Sequence, residues 1–357
     1  MYKINRYVMN VSLVLIIILT LFLFLLSSRI IFADEVTGEN FGGFSIEGIP
    51  HSNQIDKNSS YFYLKENPNT TDEITIKLNN SSNQDKTLTI KVVDANTNSN
   101  GIVDYTGNLK NNKALKLPLT SIIKPKAKEV IVPKNSSVQT KLAIKMPAEK
   151  FAGNILGGVV VSNKKNDETL KEGTVASDYS YTIGIILTNE EKVELFKNVS
   201  VELEKVGPVL ADGKKVVQAD ILNPNPYVFF KAEVAGAVYD ASGSKKIKDN
   251  TMKDVTIAPY SAFPFQLNWQ KKELKSGNYV FKGSVKTAEN TWKFEKKFEI
   301  KNDEARKINT ASVFKVFLPQ WFKYSSASLS GIIAGGTIYI YIRLSKRRNK
   351  KNRERKS

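Results

Sequence analysis

Apolar side chains recur at every second position in run after run between residues 70 and 300, and this period leaves little room for anything but β-structure. DEITIKLNN, KTLTIKVVD, SVQTKLAIKMP, VSVELEKV, KVVQADILN, FFKAEVAGAVYD, AFPFQLNW, GNYVFKGSV and WKFEKKFEI each set Val, Ile, Leu or an aromatic ring on one side of an extended chain. Lys, Thr or Glu occupy the other side, as a half-buried strand requires. No stretch of similar length sustains helical spacing. Short strands at about ten-residue intervals, separated by Gly, Asn and Pro, predict antiparallel β-sandwiches rather than a parallel α/β sheet.

At 357 residues the chain has room for two such domains. The clearest internal break is SNKKNDETLKEGTVASD, from Ser162 to Asp178, polar and charged with no apolar pattern. The expected organisation is a first Ig-like sandwich over 34–165, a linker over 166–174 and a second Ig-like sandwich over 175–301. The strand YSYTIGIILTN suits either sandwich. A stalk over 302–324 follows, its end from Val313 either an amphipathic helix lying on a membrane or a plain spacer.

The two ends carry their own patterns. Lys3 and Arg6 precede an apolar run from Val11 to Leu26, which predicts a secretory signal peptide over 1–33, cut after Ala33, or an uncleaved signal anchor. SSASLSGIIAGGTIYIYI, Ser325 to Ile342, would extend about 27 Å as a helix, close to the ~30 Å hydrocarbon layer of a bilayer. Trp321 and Tyr324 stand before it, Tyr339 and Tyr341 near its far end, and Arg343 opens a basic tail over 343–357. That tail holds nine Lys or Arg and one acid. The arrangement predicts one transmembrane helix with interfacial aromatic residues, the sandwiches outside and the tail in the cytoplasm. The expected fold class is therefore all-β, two Ig-like antiparallel β-sandwich domains followed by one transmembrane helix. The expected location is a bacterial cell surface, as a single-pass plasma membrane protein.

This topology explains most of the +18 net charge: the tail supplies eight and Lys3, Arg6 and Arg29 three, leaving seven for the exported part. No basic patch interleaved with aromatic residues suggests nucleic acid as a partner. Cysteine is absent, so the sandwiches are held by apolar cores alone, which suits a bacterial surface better than a disulfide-rich secretory route.

Candidate chemistry is sparse. In VDANTNSNGIVDY, Asp94, Asn96, Asn98 and Asp104 offer oxygens for a weak calcium loop. Yet Ser99 stands where an EF-hand has glycine, and Tyr105 where it has glutamate. A polar turn ending in Asn100-Gly101 is the default, since both residues tolerate positive φ. His51, the one histidine, is expected to be a loop residue, and without cysteine or a Gly-x-Ser-x-Gly elbow no catalytic set forms. The chain is expected not to be an enzyme and to need no cofactor. Gly157 and Gly158 inside NILGGVVVS mark a bulge, a tight crossing or a place where a ligand comes close. In SSYFYLKENP, Tyr61 and Tyr63 share one face, so either they or Phe62 lie outside the core; beside Asn53 and Gln54 they suit stacking on sugar or peptide, or simply cover an edge.

PHSNQ with SYFYLKENPN, then KVVDANTNSNGIVDY, KLAIKMPAEKFAGNILGGVVVS and the segment from APYSAFPFQLNW to WKFEKKFEI resemble the WxL-interacting proteins of low-GC Gram-positive bacteria. The resemblance spans nearly the whole chain. It implies an amino-terminal Ig-like domain that binds peptidoglycan, a second domain that binds host proteins, and WxL-domain surface proteins as partners. It transfers no ligand-contacting residue. The peptidoglycan-binding candidates, Asn53, Gln54, Tyr61, Tyr63, Asn96, Asn98, Asn100, Tyr105, Gly157 and Gly158, are chosen as polar, aromatic and glycine positions near the matching motifs. A rival expectation is an envelope hydrolase or extracellular sensor.

Overall fold

The computed structural model describes residues 42–164, 179–192, 194–314, 324–325, 328–339 and 342. Eleven strands precede residue 190: β1 Phe44–Gly48, β2 Phe62–Lys65, β3 Thr71–Asn80, β4 Lys86–Asp94, β5 Asn96–Thr97, β6 Val103–Asp104, β7 Ile123–Pro125, β8 Glu129–Val132, β9 Ser136–Lys145, β10 Ile155–Asn163 and β11 Ser180–Thr188. They form a sheet β1-β3-β9-β7, a sheet β2-β11-β10-β4-β8 and the small hairpin β5-β6. The alternating pattern sends Ile74, Ile76 and Leu78 of β3 inward against Leu88, Ile90, Val159, Val161 and Ile185 of the facing sheet. These buried residues make one aliphatic core.

Seven strands follow: β12 Glu202–Ala211, β13 Lys214–Leu222, β14 Phe229–Tyr239, β15 Lys246–Ile257, β16 Ala262–Asn268, β17 Gly277–Lys286 and β18 Thr291–Ile300. Sheets β12-β13-β16 and β15-β14-β17-β18 enclose a second core built on Phe229, Phe263, Phe265, Phe281 and Trp269. Asp212 and Gly213, at φ 48° and 72°, form the two-residue turn between β12 and β13. Positive φ at both turn residues matches the twist of the hairpin they join.

Several expectations change. β2 pairs with β11 in parallel, Phe62 opposite Ile185 through Lys65 opposite Thr188, so the first sandwich is not wholly antiparallel. A parallel neighbour needs a long crossover, and here the rest of the domain supplies it. The strand left open between the sandwiches, β11, belongs to the first, because Ile155 to Ser162 of β10 pair along it. The helix Asn302–Ala311, expected as stalk, packs Ala305 and Ile308 into the second core.

The transmembrane expectation is overturned. Among the described residues no helix is long and apolar enough to cross a membrane. Helical residues run over 328–339, and twelve residues rise only about 18 Å against a ~30 Å hydrocarbon layer. Ser328, Ser330, Thr337 and Gly331, Gly335 and Gly336 also dilute that segment. The single-pass membrane location falls with the helix. The signal peptide, the linker 166–174, Trp321, Tyr341, Arg343 and the basic tail lie outside the described residues. Tyr324 and Tyr339 are exposed, at 71% and 65%.

The sandwiches share a buried junction. Tyr63, Ala95, Leu156 and Ile186 of the first meet Val228 and Ala258 of the second, edged by Tyr61, Val103, Tyr105 and Leu195. The Thr256 amide donates to Gly101 O at 2.8 Å, and the Asn154 amide to Pro226 O at 3.0 Å. The Ala258 amide donates to Thr97 Oγ1 at 3.0 Å.

Candidate functional site

The structure sends most of the candidate residues into this junction. VDANTNSNGIVDY folds as hairpin β5-β6, whose tip reaches the second sandwich: Gly101, at φ 72°, leaves just enough space for Val255, whose nearest atom would stand 3.0 Å from an added Cβ. Asp94 is buried and its carboxylate accepts from Asn111 Nδ2, Thr120 N and Thr120 Oγ1 at 2.8, 2.9 and 2.8 Å. Asp104 accepts from Thr106, and Asn98 Oδ1 from the Asn100 amide. Asn96, also buried, donates to Asn111. The loop oxygens are thus spent on the loop's own turns and do not converge.

Tyr63 donates its hydroxyl to Asn154 Oδ1 at 3.3 Å, and Tyr105 and Tyr61 pack beside it. Burial, with Tyr61 adding a smaller effect, pushes the Tyr105 hydroxyl up to about 12. Gly157 and Gly158 are buried; an added Cβ on Gly157 would stand 2.3 Å from Val93 O and 2.5 Å from Leu119 Cδ2. That is a tight crossing of strands under the helical turn Leu119–Ile122. Gln54 turns inward and donates to Asp56 O, Ser59 Oγ and Tyr61 O at 3.0, 2.8 and 2.8 Å, bracing the connector between β1 and β2.

That connector builds the site. Residues 53–55 run against β2: the Ile55 amide donates to Tyr63 O and the Lys65 amide to Asn53 O. Asn53 is thereby held beside Glu66 and the start of β3. Its Nδ2 donates to Glu66 Oε1 at 3.1 Å and to Asp72 Oδ2 at 3.0 Å. His51 Nε2 lies 3.3 Å from Asp72 Oδ1. Glu66 is 2% exposed, and its backbone is held by Thr188 O and Asn189 Nδ2. Burial raises its carboxyl above the usual range, only partly offset by the Asn53 hydrogen bond. Asn53, Glu66 and Asp72, with Lys65, Asn67, Thr70, Thr71 and Glu191, line a polar cleft of about 610 Å³.

His51, Glu66 and Asp72 each bring one ligand atom within 4.8 Å of the others, the spacing of a loose metal site. The hydrogen bonding speaks against that use. The Asn53 amide donates to His51 Nδ1 at 3.2 Å, which places the proton of the neutral ring on Nε2, toward Asp72. A nitrogen that carries its proton has no lone pair for an ion. Of the sequence candidates Asn53 and Gln54 line the cleft, Gln54 with its side-chain amide spent on the connector and Asn53 with its own directed at Glu66 and Asp72. Sequence reasoning missed His51, Glu66 and Asp72. The available signal was parity: Phe62, Leu64 and Glu66 share one side of β2, and the first two are core residues.

A second depression, about 580 Å³, lies on the outer face of β15-β14-β17-β18, floored by Ala235, Ala237 and Ser284. Lys282 Nζ stands 5.3 Å above the Tyr239 ring at its edge.

Comparison with known proteins matches residues 44–163, which supply all of the cleft's lining but Glu191, to the family described as "WxL Interacting Protein, peptidoglycan binding domain". Residues 170–310 match "WxL Interacting Protein, host binding domain". The chain belongs to the WxL-interacting protein family. The two matches follow the order the resemblance implied, with the second beginning upstream of β11, which pairs into the first sandwich. WxL-interacting proteins are defined by these binding domains, and nothing in either match points to catalysis. No curated protein matches the chain. Among solved structures, the E. coli chaperone DraB is 12% identical, with 72% of this chain and 96% of that one covered at a TM-score of 0.28. The Pseudomonas aeruginosa CupB2 chaperone is 11% identical over 63% and 91%, at 0.23. The PapD-like domain of human CEP192 is 10% identical over 42% and 87%, at 0.26. At these scores the likenesses say nothing about function.

Proposed function

We propose that the chain is a non-enzymatic cell-surface adaptor that binds peptidoglycan through the first sandwich and host or WxL-domain proteins through the second. The observation that carries the first half is the cleft at Asn53, Glu66 and Asp72, a concave polar surface within the matched peptidoglycan-binding segment. Carboxylate, amide and hydroxyl groups converge there, which suits a polymer rich in hydroxyl, amide and amine groups. The tyrosines that suit stacking on sugar are instead engaged in the junction. For the second half, the trough beside Tyr239 and Lys282 offers a flat surface with small residues in its floor and an aromatic ring at its rim, a composition that suits a protein partner.

Co-sedimentation with purified sacculi tests the wall half. The chain is expected to pellet with them, and failure to pellet at low and high salt would remove peptidoglycan from the proposal. Loss of sacculus turbidity on incubation would favour a hydrolase instead.

A further inference from the structure

We propose that two copies of the chain pair antiparallel along β18, the edge of the sheet β15-β14-β17-β18, with a two-fold axis at Lys296.

The edge strands differ in how they are guarded. β12 carries Pro208 and a register break between Leu203 and Lys205. β15 breaks register with β14 three times, and β16 holds Pro264. The edges of the first sandwich, β1, β2, β7 and β8, run for five residues or fewer. Bulges, proline and shortness are the usual ways to stop an edge from pairing with another chain. β18 has none of them: Thr291 to Ile300 pair with β17 in one unbroken register, without proline or glycine.

The main chain of β18 is open on its far side at alternate residues. The Thr287 amide donates to Asn290 O where the hairpin closes, and hydrogen-bonded pairs alternate with unbonded ones along an antiparallel ladder. Trp292, Phe294, Lys296, Phe298 and Ile300 therefore bond toward β17, and the amides and carbonyls of Lys293, Glu295, Lys297 and Glu299 point out from the edge. The side chains of these four are exposed on the outer face of the sheet. Of the four, only Glu295 stands opposite a charge on β17, Lys282 at 3.9 Å; Lys293, Lys297 and Glu299 stand opposite Ser284, Val280 and Asn278.

This alternation of charge is its own complement. With Lys296 on the axis, an antiparallel copy sets Lys293 opposite Glu299 and Glu295 opposite Lys297, each pair occurring twice by symmetry and each in a hydrogen-bonded position. An axis at Glu295 would set Lys293 against Lys297, and an axis at Lys297 would set Glu295 against Glu299. Like charges directly opposite one another destabilise a sheet, so the charges select the register. On the inner face the same register sets Phe294 against Phe298 of the copy, covering rings that are half-buried in one chain. Lys296 meets its own copy there, and its ammonium is turned away, onto Glu204 O of β12. The copy adds to the sheet in its own plane and leaves the trough beside Tyr239 and Lys282 open.

Sedimentation velocity of the full chain, in mild detergent and over a range of concentration, tests the pairing. The parent is expected to dimerise reversibly, and less tightly at high salt. Glu295→Lys or Lys297→Glu alone turns both copies of one ion pair into like-charge contacts and should weaken the dimer about tenfold or more. An equal mixture of the two variants again sets opposite charges face to face, and should recover the parent's affinity as a mixed dimer. Both positions are exposed, so each variant should keep the parent's melting temperature, and recovery on mixing shows that both are folded. A parent chain that stays monomeric up to about 1 mM overturns the proposal and leaves the edge to a strand of another protein. A dimer that neither variant weakens overturns it in favour of a different surface. Weakening without recovery on mixing overturns the register, and with it the axis at Lys296.

Discussion

The two sandwiches share a strand alternation but fill their interiors differently. The first is packed with Ile, Leu and Val and buries a series of polar side chains, Gln54, Glu66, Asn80, Asp94, Asn96, Asn154 and Asn189 among them. The second is packed around Phe229, Phe263, Phe265, Phe281 and Trp269, is closed by the helix Asn302–Ala311, and buries fewer polar groups. Aromatic rings bury large areas at few positions, and the second core is filled by a handful of them, with Trp269 and Leu274 entering from the segment between β16 and β17. The first spends its polar residues on shaping loops: Asn80 Nδ2 alone ties Gln84 O, Val132 O and Pro133 O together. A domain whose loops are fixed from within is suited to hold a cleft. A domain with a closed core and a plain outer sheet offers a face.

The contrast is most easily broken at the second core. Phe265→Ala is expected to cost about 3–5 kcal/mol, as measured by chemical denaturation; the equivalent cut in the first core, Ile76→Ala, should cost about 2–5 kcal/mol and reach its upper end only if that core cannot collapse. Equal losses would mean that the aromatic core has no special weight.

The junction comes next. Thr97→Val removes the acceptor of the buried Ala258 amide while keeping the side-chain shape. A loss of about 1–3 kcal/mol is expected. Calorimetry should then show one unfolding transition splitting into two, because the hydrogen bond spans the sandwiches. A single transition at the parent temperature would show that the domains are joined by apolar contact alone.

Glu66→Gln reverses the sign. The Glu66 carboxyl is raised on folding, chiefly by burial. Folding therefore favours its protonated form, and the stabilising contribution is present below the normal glutamate range and lost as pH rises through the raised value. At pH 7 the substitution should raise the melting temperature by about 2–4 °C, the gain shrinking toward pH 4. A gain with reduced sacculus binding would mark a site kept at the expense of stability.

The smallest effect is expected at Glu73, which is ion-paired with Lys126 and Lys141 on the open face of β3. Those lysines hold its carboxyl below the usual range. Solvent screens such pairs, so Glu73→Gln should leave the melting temperature unchanged at pH 7. A clear drop would show that the first sandwich depends on its surface charges.

Much of the strand pattern was legible in the sequence, because burial on one face of a strand imposes a period of two that Ile74, Ile76 and Leu78 display plainly. The edges of that legibility are instructive. β11 read as belonging to either sandwich, since an apolar strand buried on both faces carries no mark of its neighbours. The apolar stretch at 325–342 matched a membrane span in length and flanking charge, yet the helical residues described there are too few and too polar. Glu66 carries no sign of its burial in its own charge; only its parity with Leu64 points inward.

The β-architecture and the family could be read from the linear chain, since the first follows from local periodicity and the second from motifs that survive as strings. Three-dimensional packing was needed to make VDANTNSNGIVDY a clasp between sandwiches rather than an ion loop. Packing also brought His51, Asn53, Glu66 and Asp72 together from one connector and the two strands that flank the turn after it. The hydrogen bond from the Ala258 amide to Thr97 crosses 161 positions of chain. No periodic signal encodes a contact at that distance, because its partners are chosen by how the sheets stack.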